Sequence, residues 1–214
     1  MKFVHFQLST TIGAILTVFF APLAGLPAPL TAVQILWVAI ITDGPPAVSL
    51  ALDSARPGIM SQAPRGRSEP VLPFSRLSKV VAHGLTMMIA TLAILYYGLQ
   101  AGMGHRALTL AFTTFVLSQV FDVFNARFER GTAFNRQLFT NRMLWASLVG
   151  VVLLQIVAVH WSPAQRVFTT ADLTMSEWGI AIVAASSVLL LEEGRKLGLL
   201  LFDRLRSPHL MARA

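Results

Sequence analysis

The sequence has no cysteine, so neither a disulfide framework nor a thiolate metal site can be built from it. Charged residues are also scarce: they make up 13% of the 214 residues, against about 25% in typical soluble domains. Hydrophobic residues make up 55%. This composition excludes a disordered chain and an ordinary soluble domain, and it indicates a membrane protein.

The apolar residues are gathered in runs that are long enough to cross a bilayer. A helix rises 1.5 Å per residue, so about 20 residues span the hydrocarbon core. We therefore predict an all-α integral membrane protein in which a single domain, 1–214, is in contact with the lipid bilayer. Its six transmembrane helices are predicted at about 3–23, 32–52, 79–99, 107–124, 143–159 and 178–191.

The net charge of +7 does not indicate a nucleic-acid partner, because the Lys and Arg residues lie between the apolar runs. If both termini are cytoplasmic, only Arg106 and Arg166 of the 17 Lys and Arg residues lie outside, which leaves fifteen inside. Such an asymmetry is typical of membrane proteins and sets their orientation. We expect cytoplasmic termini and a multi-pass protein of a bacterial inner (plasma) membrane.

One predicted helix, LWVAIITDGPPAVSLAL, contains a carboxylate near its middle. Acids such as Asp43 are costly inside a bilayer and usually face a bundle interior or an ion pathway. Pro45 and Pro46 lack the N–H groups that would bond the carbonyls of Ile41 and Thr42, so we expect the helix to unwind there. The freed carbonyls, a hydroxyl and a carboxylate together suit a hard cation. A proline kink with a protonated or hydrogen-bonded Asp43 explains the same pattern without an ion.

The stretch from Pro29 to Leu72 resembles the sixth transmembrane helix and the following loop of P-type cation-transporting ATPases, in their calcium-pump branch. That family has a Pro, a segment like LLWVNLVTDGLPA, then IM, PPR and a late Pro. The matching residues here are Gln34, Leu36, Trp37, Val38, Thr42, Asp43, Gly44, Pro46, Ala47, Ile59, Met60, Pro64, Arg65 and Pro70. STTIGAI resembles the fifth helix of the family, FVLSQVFDVFNARFE the eighth, and LLLEEGRK the end of the tenth. The six spans therefore resemble helices five to ten, the C-terminal membrane domain.

The resemblance implies a cation site, but in an altered form. Calcium pumps commonly place Asn and Glu in helix five and Asn ahead of the Thr-Asp pair, where this chain has Thr11, Ala14 and Ala39. The resemblance leaves these metal-site residues: Asp43, Thr42, Gln119, Thr11 and Asp122. One strong carboxylate with neutral partners is a poor calcium cage. A monovalent or divalent cation, a proton on Asp43, and no ion remain alternatives, and we expect no other cofactor.

The sequence lacks the motifs with which that family transfers phosphate: it has no DKTGT, no TGES-like and no PEGL-like segment. Phosphoryl transfer needs a positioned nucleotide, Mg²⁺ and, in this family, a carboxylate nucleophile. We therefore predict that the chain alone is not an enzyme and has no catalytic residues.

Two functions stay open. An accessory or structural subunit, bound to other membrane protein subunits, is favoured by the altered ion site. The C-terminal half of a split pump, which binds a cation at Asp43 beside a separate catalytic P-type ATPase chain, is favoured by the preserved TDGPP segment.

Overall fold

The computed structural model describes residues 2–53, 73–128 and 136–206, and these are helical apart from short connections. The α-helices are α1 (Lys2–Leu23), α2 (Ala32–Trp37), α3 (Gly44–Ala51), α4 (Phe74–Gln100), α5 (His105–Arg127), α6 (Arg142–His160), α7 (Ser162–Phe168) and α8 (Met175–Arg206). A π-helix, Val38–Asp43, joins α2 to α3, and a 3₁₀ turn, Arg136–Phe139, precedes α6. The prediction of an all-α membrane fold is confirmed.

Six helical stretches among the described residues are long and apolar enough to cross a membrane. They are Lys2–Leu23, Ala32–Ala51, Arg76–Gln100, His105–Arg127, Arg142–His160 and Met175–Gly198. Each coincides with one predicted run, but two helices extend at least five residues beyond a predicted end. α4 begins at Phe74 instead of 79, and α8 continues to Arg206 instead of ending at 191. Most of the predicted loop at 53–78 lies outside the described residues.

The helix α5 forms the centre of the bundle. It packs against α1, α4, α6, α8 and the π-helix. In its most apolar stretch 78% of the residues are buried, against 33–44% in the other five spans. Phe112, Phe115 and Val116 are fully buried there. Because α5 is surrounded by protein, its polar side chains meet other helices and not lipid.

A close crossing between α1 and α4 positions the N-terminal helix. A Cβ atom added to Gly84 would lie 2.8 Å from Cγ2 of Ile12 and 3.0 Å from the backbone nitrogen of Gly13. Only a residue without a side chain fits at this distance. The same use of small residues allows helices in membranes to approach closely.

Four spans meet at one end of the bundle, which we call the inner end, around Asp53. Lys2 Nζ lies 2.5 Å from Oδ2 of Asp53, and Arg127 Nε donates to the same oxygen at 3.2 Å. Asn141 Nδ2 donates to Oδ1 at 3.1 Å. Burial favours the neutral acid, but the cations of Lys2 and Arg127 outweigh it, so the pKa of Asp53 is lowered from its ordinary value.

The opposite, outer end fixes the start of the second span. Thr31 and Gln34 form a capping box at the start of α2. Gln34 Nε2 also donates to the carbonyl of Phe168 at 2.8 Å. Trp37 Nε1 donates to Oε1 of Gln155 on α6 at 3.3 Å. These bonds hold α2 against α6 and α7. The π-helix that follows α2 ends at Asp43, which is buried in the bundle.

Candidate functional site

The second span does not unwind at its prolines, so that prediction is wrong. The chain runs from α2 through the π-helix into α3, and Gly44 has helical φ and ψ values of −56° and −66°. Pro45 and Pro46 occupy the first turn of α3, where a missing N–H is tolerated. The departure from a regular α-helix lies just before the prolines, in the wider turn of the π-helix. Such π segments occur frequently at functional sites.

Asp43 ends the π-helix and is 4% exposed. Its Oδ2 accepts a hydrogen bond from Thr10 Oγ1 at 3.1 Å and a long one from Gln7 Nε2 at 3.4 Å, both from α1. Its Oδ1 has no hydrogen-bond partner among the described residues, and neither does the buried hydroxyl of Thr42. The site therefore contains one carboxylate with half of its bonding capacity unused.

The structure places Thr11 differently from the expected site. Its side chain is exposed on α1, and its hydroxyl donates to the carbonyl of Gln7 at 2.7 Å. The adjacent Thr10, which sequence reasoning missed, donates to Asp43 instead. Gln119 is fully buried on α5, which packs against the π-helix, and its amide has no hydrogen-bond partner among the described residues.

Asp122 lies in a second polar cluster, between α1, α4, α5 and α8. Its Oδ1 is 2.8 Å from Nδ1 of His83, and it also accepts a bond from Asn125 Nδ2 at 3.3 Å. Ser9 of α1 donates to its Oδ2. The other nitrogen of His83, Nε2, lies 3.4 Å from Oε2 of Glu192 on α8. Both oxygens of Asp122 thus have partners in the bundle.

Two histidines that are widely separated in the sequence meet in the structure. The rings of His5 and His83 lie 5.1 Å apart, and His83 is 4% exposed. An ionisable residue within an apolar run was the criterion that identified Asp43, and it would have identified His83 equally well. The partners of His83 come from three other helices, so their identity depends on packing that the sequence does not state.

The arrangement supplies hard oxygen ligands around Asp43 but few charges. Thr10, Thr42 and Gln7 are neutral, and calcium takes six to eight oxygen ligands. Among residues 2–53, 73–128 and 136–206 no group of three or more His, Asp and Glu side chains is placed to hold a metal ion. The residues present fit a weakly held cation or a hydrogen-bonded acid better than a calcium cage.

Comparison with known families gives a match over most of the chain. A family model described as "Cation transporting ATPase, C-terminus" matches residues 27–198. The chain is also similar to full-length pumps. It is 33% identical over 196 residues to calcium-transporting ATPase 1 of Schizosaccharomyces pombe, which covers 91% of this chain and 22% of that protein.

Two further relatives agree with this match. A calcium-transporting ATPase of Bacillus subtilis is 35% identical over 184 residues, which is 85% of this chain and 20% of the relative. Calcium-transporting ATPase type 2C member 2 of Mus musculus is 33% identical over 215 residues, which is 100% of this chain and 23% of the relative. The chain thus spans about a fifth of the length of each relative, in the C-terminal membrane part.

Proposed function

Since the chain belongs to the family of cation-transporting ATPase C-terminal domains, we propose that it acts as a non-catalytic membrane module, an accessory or structural subunit of a larger membrane assembly. We place this assembly in a bacterial inner membrane, although the matched relatives come from both a bacterium and eukaryotes. Other membrane protein subunits are its proposed partners.

The composition of the Asp43 site carries the proposal. Asp43 has neutral partners, the Thr11 hydroxyl donates to the carbonyl of Gln7 instead, and both oxygens of Asp122 have partners in the bundle. A calcium transport site needs more negative charge than one free carboxylate supplies. A domain that keeps the family fold but has lost most of its ligands is better suited to assembly than to transport.

Isolation of the tagged chain from its host membranes in mild detergent tests this function. We expect a complex of fixed stoichiometry with at least one other membrane protein. The chain purified alone should neither hydrolyse ATP nor form an acid-stable phosphoenzyme. A phosphorylated aspartate on this chain, or a chain that is recovered from its host without a partner, would contradict the proposal.

One observation favours a second function, a split pump half that binds a cation at Asp43. The unpartnered atoms near the π-helix, Oδ1 of Asp43 and Oγ1 of Thr42, are hard oxygens that a cation could bind. A catalytic P-type ATPase chain would then be the partner. In this case the isolated chain should gain thermal stability with Na⁺, K⁺ or Ca²⁺.

The variants Asp43→Asn and Asp43→Leu separate the two functions. Asn keeps an acceptor for Thr10 and should unfold close to the wild type. Leu leaves buried donors and acceptors unpaired and should destabilise by roughly 1–3 kcal/mol. Stabilisation by one salt that both variants lose would support the cation site. If every salt acts equally on all three proteins, the split-pump function loses its support.

A further inference from the structure

A histidine and a tryptophan connect the end of α6 to the start of α8 at the outer end of the bundle. His160 is the last residue of α6, and Trp178 lies in the first turn of α8. Nε1 of Trp178 donates a hydrogen bond to Nε2 of His160 at 3.1 Å. On the other side of the ring, Nδ1 of His160 lies 3.0 Å from Oδ1 of Asp172, in the segment between α7 and α8. Both nitrogens of this imidazole therefore have a partner.

These partners determine which nitrogen of the imidazole carries the proton. An indole N–H can only donate, so Nε2 of His160 must accept and carries no proton. The proton of the neutral ring is then on Nδ1, which donates to the carboxylate of Asp172. The contact is therefore that of a neutral histidine. A proton added to Nε2 converts the acceptor into a second donor, and the hydrogen bond from Trp178 is lost.

The other charged groups of this contact are paired with each other. Arg106 of α5 donates through Nε to the backbone carbonyl of Asp172 and through Nη2 to Oε2 of Glu177 at 2.6 Å. The same oxygen of Glu177 accepts bonds from the backbone N–H and the hydroxyl of Thr174. Aspartate and glutamate ordinarily titrate near pH 4, and arginine keeps its charge, whereas histidine titrates between about pH 5 and 8. In that range the histidine is the member of this network that can change charge.

Protons from the outer solution have access to this contact. The side chains of His160 and Asp172 are 39% and 72% exposed. The orientation predicted from the charges places this end outside the cytoplasm. Trp178, in contrast, is half-buried and packs against a core cluster that includes Leu173 and Ala181. The hydrogen bond thus joins an exposed titratable ring to an indole that is packed in the bundle.

We propose that His160 is a proton-binding site of the outer face, and that proton binding there releases Trp178 and loosens the junction between the end of α6 and the start of α8. At neutral and alkaline pH the hydrogen bond is formed. In acid the imidazolium keeps Asp172 as its partner but has no lone pair for the indole. The inference goes beyond the proposed function, because it concerns the response of the domain to outer pH and needs neither a cation nor a partner chain.

The indole N–H resonances of the full chain, labelled with ¹⁵N-tryptophan and held in detergent micelles, test the proposal between pH 5 and pH 8. The resonance of Trp178, identified with Trp178→Phe, should move in a single titration step. The resonances of Trp37 and Trp145 are internal controls, because these indoles donate to an amide oxygen and to a backbone carbonyl, which do not titrate in this range. A Trp178 resonance that stays constant from pH 5 to pH 8 would overturn the proposal.

Two substitutions reproduce the two states of the contact at a single pH. His160→Gln supplies an uncharged amide oxygen that can accept from Trp178, whereas His160→Arg supplies a permanent charge and only donors. Hydrogen exchange of the Trp178 indole should be about fivefold faster in His160→Arg than in His160→Gln, which corresponds to the loss of one hydrogen bond of about 1 kcal/mol. Equal exchange rates in the two variants would contradict the release of the indole.

A second histidine provides the matched control for the titration. His105 also lies at the outer end, exposed at the start of α5. The pH-dependent shift of the Trp178 resonance should remain in His105→Gln and disappear in His160→Gln. If the shift persists in His160→Gln, or disappears in His105→Gln, the proton binds elsewhere and the proposal is wrong.

Discussion

Ser9 and Thr10 are consecutive residues of α1, yet their hydroxyls donate to carboxylates on two different elements. Ser9 bonds Asp122 of α5, and Thr10 bonds Asp43 at the end of the π-helix. Both carboxylates are buried. A single turn of α1 therefore holds two acids of the membrane core, and any rotation of α1 would disturb both bonds together.

The Ser9 bond is expected to contribute more than an ordinary buried hydroxyl. Ser9→Ala removes a donor to a buried acid, and bonds to charged groups contribute about 1.5–3 kcal/mol. Ser118→Ala is the matched control, because Ser118 is equally buried but donates only to the carbonyl of Thr114 in its own helix. Chemical denaturation in detergent should show the larger loss for Ser9→Ala. Equal losses would mean that the Ser9–Asp122 bond adds nothing.

Stability should depend on pH through Asp53. Its pKa is lowered in the folded protein, because the cations of Lys2 and Arg127 outweigh the effect of burial. A lowered pKa stabilises the fold at pH values above the ordinary value of about 4, and this contribution is lost as the pH falls through the folded value. The melting temperature of the wild type should therefore fall on acidification.

Asp53→Asn isolates that contribution from those of other carboxylates. At pH 7 this variant should be less stable than the wild type by about 1.5–3 kcal/mol, as expected when bonds to a charged group are weakened. The difference should shrink below about pH 4, where the ordinary acid becomes protonated. A difference that is constant from pH 7 to pH 3 would show that Asp53 is not stabilised by its cations.

The crossing of α1 and α4 should not tolerate a methyl group. Gly84→Ala places a Cβ within 3.0 Å of the backbone of Gly13, so the helices must separate. Overpacking of this kind costs about 1–3 kcal/mol. Gly150→Ala is the control, because a Cβ there meets no atom within 4 Å. The control should be neutral or slightly stabilised, as alanine favours helix. Thermal unfolding of the two variants tests this prediction. Equal melting temperatures would contradict the close crossing.

The orientation predicted from the charges can be tested with single cysteines, because the chain has none of its own. Phe74 at the inner end and Met175 at the outer end are 84% and 90% exposed. An impermeant thiol reagent added to intact cells should label Met175→Cys and not Phe74→Cys, while both react after permeabilisation. Labelling of Phe74→Cys from outside would contradict the orientation predicted from the charges.

The sequence predicted the spans well because hydropathy reports directly on burial in lipid. It placed the end of the last helix at 191 because the apolar run stops there. In the structure α8 continues, since Glu192 pairs with Arg195 and Glu193 with Lys196, each one turn apart. The short helix α7 was not predicted, because seven residues between two spans carry no clear periodicity.

The site was only partly predictable for a similar reason. Asp43 stood out because a carboxylate is rare in an apolar run. Each residue turns an α-helix by about 100°, so choosing between Thr10 and Thr11 required the rotation of α1, which depends on its packing. The resemblance indicated Thr11, whereas the structure places the hydroxyl of Thr10 on Asp43.

The π-helix has a geometric consequence for the whole second span. Its bonds join residues five apart instead of four, so the segment holds more residues per turn than an α-helix does. The two halves of the span therefore follow separate helical wheels: Ile35 belongs to one, and Pro46 and Leu50 belong to the other. Removing one residue from Val38–Asp43 would restore a single wheel by turning α3 through roughly 100° against α2. The π-helix thus offsets the two halves of the span by an angle, so that Ile35 in one half is exposed while Pro46 and Leu50 in the other half pack into the core.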